Sequence, residues 1–238
     1  MSIKSKIPKI LVAAPQADIK NYCFLDWYLN IKKFLHPESH IDIFLADNSD
    51  TEENAKYIES FGVGVKWIPK KGRGIIEVMA ECHQICLDEA IKGGYDYMLH
   101  LETDIFPKAN IIEKLITHNK PITCGLYHIF DGGYREPMLR LIEAKNSGYM
   151  RAYGIQIEQG RYLDGKLLQV YSGALGCCLI RKDVFNRIKF RSVEGEKQHP
   201  DTWFAVDMYE QNIPIYVDTQ ALCDHYSKSW GTFNLNFK

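Results

Sequence analysis

The chain has 238 residues, 46% of them hydrophobic and 25% charged, with 29 basic against 30 acidic side chains for a net charge of −1. Its 11 Phe, 14 Tyr and 4 Trp supply far more burial than a disordered chain carries. The even charge balance excludes a general pull toward nucleic acid or anionic membrane, and the length suits one α/β domain with an insertion.

The amino terminus carries three lysines but no apolar run of signal-peptide length before Asp18. No apolar run approaches the roughly 20 residues that span a bilayer. A cytoplasmic protein is therefore expected. The seven cysteines lie scattered through apolar stretches and read as reduced, buried thiols rather than a disulfide framework. Cys82, His83 and Cys86 share one helix, but no second ligand pair of zinc-site spacing follows them.

In chain order, residues 10–14 form an apolar strand closed by Pro15, and 18–35 a helix on which Tyr22, Leu25 and Leu29 recur at helical spacing. Residues 41–46 form a second strand, broken by Asp47-Asn48-Ser49-Asp50. A helix over 51–61 carries acids in its first turn, where the helix dipole favours them. A third strand over 63–68 is followed by the turn Lys70-Lys71-Gly72-Arg73-Gly74 and a helix over 75–91. The run 95–101 is nearly continuous in apolar character, as in a strand buried on both faces. Pro107 opens a helix through 117, and a fifth strand covers 122–127. This alternation predicts a mostly parallel sheet.

Between 129 and 171 the chain turns polar, aromatic and glycine-dotted, with turn signals at Asp131-Gly132-Gly133, Asn146-Ser147-Gly148 and Asp164-Gly165. Hairpins, or an excursion from the main sheet, are expected there. A strand over 175–180, helices over 182–187 and 202–210, and a last strand over 215–217 precede a polar tail.

Ligands of open α/β sheets sit at the carboxyl ends of strands. Three polar clusters fall at such ends: Pro15-Gln16, Asp47-Asn48-Ser49-Asp50 and Glu102-Thr103-Asp104. Two carboxylates two residues apart at the end of a buried strand need a neutralising charge, and a hard cation such as Mg²⁺ or Mn²⁺ supplies it; a solvated acidic loop is the plain alternative.

Glu102-Thr103-Asp104 followed by Pro107 resembles the D-x-D-like motif of GT-A glycosyltransferases, family 2 above all, with Glu in place of the first acid. Ala13-Ala14-Pro15 is similar to that family's first-strand end beside the nucleotide base. Asp47-Asn48-Ser49 is similar to its second-strand signature, whose acid holds base or ribose. Gly72-Arg73-Gly74 stands in place of its glycine-containing segment beside the nucleotide. Ser172-Gly173-Ala174, with the Leu179 to Phe185 stretch, resembles the segment bordering donor sugar and acceptor. Together these cover about 215 residues.

The resemblance implies a Rossmann-like GT-A fold. Its mostly parallel central sheet is flanked by helices and carries a smaller antiparallel excursion. The fold occupies a single domain over 1–238, with a nucleotide-binding half over about 8–128 and an acceptor-side half over about 129–238. It implies a nucleotide-sugar donor, UDP-sugar favoured, and a Mn²⁺ or Mg²⁺ ion on Asp104, with Glu102 and a late histidine, His225, assisting. Nucleotide contacts fall to Ala14, Pro15, Asp47, Asn48, Gly72, Arg73 and Thr103, and sugar-side contacts to Gly173 and Ala174. Lys228 and Trp230 belong to a closing tail over the donor. Asp201, before a helix, stands where inverting relatives place the general base, although the same residue suits an N-cap.

Lys71 is a further phosphate candidate, and His100 reads as a hydrogen-bonded core residue. Tyr127, Tyr134, Tyr149, Tyr153, Tyr162 and Tyr171 bracket the excursion as sugar-stacking or packing aromatics. The expected reaction is inverting glycosyl transfer to an acceptor hydroxyl of a glycan, protein, small molecule or modified base. Two rivals are a catalytically inactive relative and a sugar-phosphate nucleotidyltransferase. The second needs a glycine-rich first turn that Pro15-Gln16-Ala17-Asp18 does not offer.

Overall fold

The computed structural model describes residues 8–34, 40–131, 134–140, 142, 167–173, 175–227 and 231–233. Strand β1 (Lys9–Gln16) leads through a 3₁₀ turn (Asp18–Lys20) into α1 (Asn21–Lys32). There follow β2 (His40–Asp47), α2 (Glu53–Glu59), β3 (Gly64–Trp67), α3 (Ile75–Lys92) and β4 (Tyr97–Leu101). The middle of the chain gives β5 (Ile105–Pro107), α4 (Ile111–Thr117), β6 (Ile122–Leu126), β7 (His128–Asp131), β8 (Tyr134–Pro137) and β9 (Leu139–Arg140). The last third adds β10 (Leu167–Val170), β11 (Ser172–Gly173), β12 (Cys177–Arg181), α5 (Pro200–Glu210), β13 (Ile215–Ser227) and β14 (Gly231–Phe233).

The main sheet has the order β10-β13-β6-β12-β4-β1-β2-β3. Pairs β1–β2, β2–β3, β1–β4 and β6–β13 are parallel; β12 runs antiparallel between β4 and β6, and β10 antiparallel to β13. This is the expected mostly parallel sheet. The excursion provides two small antiparallel pairs, β7 with β8 and β9 with β11. Asp131 and Tyr134 face each other across the predicted hairpin turn. The turn signals at 146–148 and 164–165 lie outside the described residues.

Strand alternation divides the core in two. Leu11 and Ala13 of β1 pack with Val78, Cys82, Cys86 and Leu87 of α3 on one face. Ile10, Val12 and Ala14 pack with Phe24, Trp27 and Ile31 of α1 on the other. The period of two carries each strand residue to the face opposite its neighbour. All seven cysteines are buried and unbridged, as the sequence implied.

Several boundaries differ from expectation. Pro15 lies inside β1, opposite Ala46. Gln16 O accepts from Asn48 N on the β2 side, so Pro15 faces β4, where the pairing has ended at Ala13 and His100. A missing N–H costs nothing there. On α1 the predicted stripe of Tyr22, Leu25 and Leu29 is exposed, and Cys23, Phe24, Trp27 and Ile31 are buried instead. That helix is apolar on two faces, and the larger rings take the core.

Pro107 closes β5 rather than opening a helix; α4 begins at Ile111. Residues 182–187 form a 3₁₀ helix. The last strand is 13 residues long, not three. A register shift between Val217 and Leu222 interrupts its apolar alternation. There the Asp218 carboxylate accepts from the backbone N–H groups of Gln220 and Ala221, at 2.8 and 3.2 Å. The supposed polar tail is thus sheet, and it carries His225.

Candidate functional site

Glu102-Thr103-Asp104 turns tightly out of β4: Glu102 N donates to Gly176 O at 2.9 Å, and Ile105 N to Glu102 O at 3.0 Å. A Cβ at position 176 would stand 2.7 Å from the Tyr127 hydroxyl, so a larger residue there would have to push that buried ring aside. Thr103 is fully buried, and its hydroxyl donates to Gln16 Oε1 at 2.5 Å, tying the turn to the end of β1. Two long-range pairings deliver the remaining groups. Strand β5 runs antiparallel to β13 with Ile105 opposite His225, and Tyr226 N donates to Asp104 O at 2.8 Å. The imidazole of His225 therefore comes beside Asp104, its Nε2 3.8 Å from Oδ2.

From the other side Lys20 reaches over both acids, with Nζ 3.2 Å from Glu102 Oε2 and 3.0 Å from Asp104 Oδ2. Burial opposes the charge on Lys20, but the two carboxylates outweigh it and raise its pKa. Asp104 is likewise held ionised: burial would raise its pKa, yet His225 and Lys20 carry it below the usual carboxylate range.

Two features match a cation. Asp104 Oδ1 is buried with no hydrogen-bond partner. His225 Nδ1 lies 2.9 Å from the His128 carbonyl and so carries a proton, which turns Nε2 toward Asp104 Oδ2 at 3.8 Å. Burial opposes a second proton on the ring, but Asp104 and the His128 carbonyl raise the pKa of His225, so either a shared proton or a metal ion satisfies this pair. Among the described residues no three His, Cys, Asp or Glu side chains stand close enough to ligate a metal by themselves. A hard cation on Asp104 and His225 would complete its shell with ligand oxygens.

A cavity of about 500 Å³ opens beside this cluster. Pro15, Gln16, Asn48, Asp50, Lys70, Lys20, Glu102 and His83 line it, with Ile19, Ile75 and Met79 as apolar wall. Ile19 is 74% exposed and Ile75 50%, large values for apolar side chains on a concave surface. Asp47 lies behind Asn48, fully buried. Its Oδ1 accepts from Ser49 Oγ and Asn54 Nδ2, both at 2.7 Å, while Oδ2 has no partner. Burial raises its pKa.

His83 and His100 form a buried pair, His83 Nδ1 to His100 Nε2 at 2.8 Å, with His100 Nδ1 donating to Leu175 O at 2.8 Å. Burial lowers the pKa of His83 well below its usual value and that of His100 to about 4, so both are neutral. His100 is the core residue expected, and His83 belongs to the cavity wall.

Asp201 lies in the first turn of α5. The N-cap position belongs to His199, and the Asp201 carboxylate accepts from Thr202 N at 2.8 Å. Asp201 is therefore not the N-cap residue, although its carboxylate satisfies one of the free N–H groups of the first turn. Burial, then the charge of Glu102, raises its pKa.

No family model matches the chain, and no curated protein matches its sequence. Solved structures do match over nearly the whole length. A197 from STIV aligns over 97% of this chain and 95% of its own, at 13% identity and a TM-score of 0.51. S. aureus TarS 1–349 aligns over 90% of this chain at 14% identity and a TM-score of 0.57. GalNAc-T7 with UDP, GalNAc and Mn²⁺ aligns over 92% at 13% identity and a TM-score of 0.61. The fold is that of the GT-A glycosyltransferases. The chain spans 59% of that TarS structure and 43% of the GalNAc-T7 structure.

Within the GT-A frame the expected residues distribute unevenly. Glu102, Thr103, Asp104 and His225 converge on one cluster, and Pro15 and Asn48 line the cavity. Ala14 is buried in the core. Gly173 pairs with Leu139 on β11. Gly72 has φ 79° in the turn before α3, and Arg73 turns from the cavity to ion-pair with Glu81 and to donate to Pro69 O at 3.0 Å. Arg73 and Lys71 line a separate depression with Trp67. Ala174, Lys228 and Trp230 lie outside the described residues, as do Tyr149, Tyr153 and Tyr162.

Lys20 was not foreseen as a site residue; Gln16 was read only as part of a polar strand end, and His83 only beside Cys82 and Cys86 in a zinc reading set aside. Lys20 carries no motif, and only the return of β1 into α1 sets it over the carboxylates. Lys20 also predicts a measurable effect. A cation bound to the same carboxylates must displace its ammonium, so Lys20→Met is expected to tighten Mn²⁺ binding by roughly tenfold in calorimetry. Weaker binding in the variant would mean that the lysine supports the ion instead.

Proposed function

We propose that this protein is a divalent-metal-dependent glycosyltransferase that moves a sugar from a nucleoside diphosphate sugar, a UDP-sugar foremost, to an acceptor hydroxyl with inversion. One observation carries the reading: Asp104 turns one carboxylate oxygen toward His225 and keeps the other buried without a partner, next to Lys20 and Glu102, which line a cavity of about 500 Å³. The GT-A fold and a structural neighbour holding UDP, GalNAc and Mn²⁺ support it.

The residues divide the work by position. Asn48, Pro15 and the exposed Ile75 of the cavity receive the nucleoside, with Asp47 fixing the loop that carries Asn48 through Ser49 and Asn54. Lys20, beside Glu102 and Asp104, offers an ammonium to diphosphate oxygens. Asp104, Glu102 and His225 would hold Mn²⁺ or Mg²⁺, which when bound offsets charge on the leaving diphosphate. Asp201 takes the proton of the acceptor hydroxyl as that oxygen attacks the anomeric carbon, and the bond to the diphosphate breaks. Burial keeps this carboxylate a stronger base than one in water.

A thermal-shift panel of UDP-, GDP-, CMP- and dTDP-sugars, each with and without Mn²⁺, tests the donor assignment. One nucleotide should stabilise the protein, and only with metal. Equal silence from all of them would contradict the reading.

A further inference from the structure

Arg140 ends β9, half-buried, and among the described residues its guanidinium meets no carboxylate and makes no hydrogen bond. Only its backbone is engaged, with its carbonyl accepting from Tyr171 N at 2.9 Å. Withdrawing a guanidinium from water without a partner is costly, so the position favours an anion that completes it. The planar fork of N–H donors matches a carboxylate or a phosphate.

The topology fixes where that anion would lie. Arg140 stands opposite Ser172 in the β9–β11 pair, and α5, whose first turn carries Asp201, packs against β11. Burial lowers the pKa of Arg140, and Asp201 is the carboxylate whose charge opposes this. Arg140 therefore stands on the Asp201 side of the site, where the proposed base would meet an acceptor.

We infer that Arg140 binds the acidic group, a carboxylate or a phosphate, of an anionic acceptor and so selects acceptors bearing one beside the hydroxyl that reacts. This rests on the glycosyltransferase reading for the meaning of acceptor, but not for the anion site itself. The same chemistry has a second source, the diphosphate of the donor, and the experiment separates the two.

Isothermal calorimetry on the full-length protein compares two matched pairs, glucose 6-phosphate with glucose and p-nitrophenyl β-glucuronide with p-nitrophenyl β-glucoside. UDP with Mn²⁺ is titrated in parallel, and each variant's melting temperature is read beside it. In the wild type the acidic member of a pair should bind about tenfold tighter than its neutral counterpart. In Arg140→Gln that preference should vanish while UDP binding is kept, and Arg140→Lys, which retains the charge but not the fork, should keep part of the preference. Acids that bind no better than neutral sugars overturn the inference. So does a loss of UDP affinity in Arg140→Gln, which would assign the guanidinium to the donor diphosphate. If UDP fails to bind while the acid preference holds, the glycosyltransferase reading falls and the anion site stands.

Discussion

Asp104→Asn is expected to lower metal-dependent nucleotide binding by more than about a hundredfold and to reduce sugar transfer to background, because it removes the charge and leaves the shape. Changes even to the partners of metal ligands cost roughly 10–100-fold, and loss of a ligand itself costs more. In the wild type this carboxylate is held ionised against burial by His225 and Lys20, with Oδ1 left without a protein partner. The variant keeps the backbone bond from Tyr226 N to Asp104 O, so its fold should survive. Calorimetric titration of Mn²⁺ followed by UDP reads the effect. An unchanged affinity would return the acidic cluster to a solvated loop held by Lys20.

Asp201→Asn should behave differently, losing roughly 10²–10⁴-fold in turnover while donor binding stays as in the wild type. The pH dependence gives a second reading. Burial and the Glu102 charge raise the pKa of Asp201, so the base loses its ionised form on acidification while an ordinary carboxylate would still hold its own. The acidic limb of kcat/KM should therefore lie above the usual carboxylate pKa, and it should disappear in the variant. Stability moves in the opposite sense. A pKa raised in the folded state means that ionisation at neutral pH costs folding free energy, so Asp201→Asn should melt no lower than the wild type near neutral pH. Retained turnover would remove Asp201 from the base role. A lower melting temperature would point instead to a structural part for the carboxylate.

The sheet was legible because its strands are short apolar runs separated by helices, a pattern that local periodicity reveals. The carboxylate pair was legible for a related reason: two acids ending a strand as buried as β4 are anomalous without a charge to meet them. His225 was flagged by resemblance alone, since its strand had been read as tail. What places it is the register of β13 against β5, more than a hundred residues away in sequence.

Lys20 and Arg140 mark the limit of such reading. Neither sits in a pattern, one lying on a short turn and the other on a two-residue strand. Their meaning comes from what the fold sets around them: two carboxylates for Lys20, and no partner for Arg140. The misread face of α1 has a similar origin. A helix with apolar residues on two sides does not say which side the sheet will cover, and the size of Phe24 and Trp27 decided it.

The most direct test of the central claim is release of UDP from UDP-sugars by the purified protein, assayed with Mn²⁺ and with chelator. The account predicts release from at least one donor with Mn²⁺, none with chelator, and none from Asp104→Asn in either condition. Release that is indifferent to metal and unchanged in Asp104→Asn would contradict it.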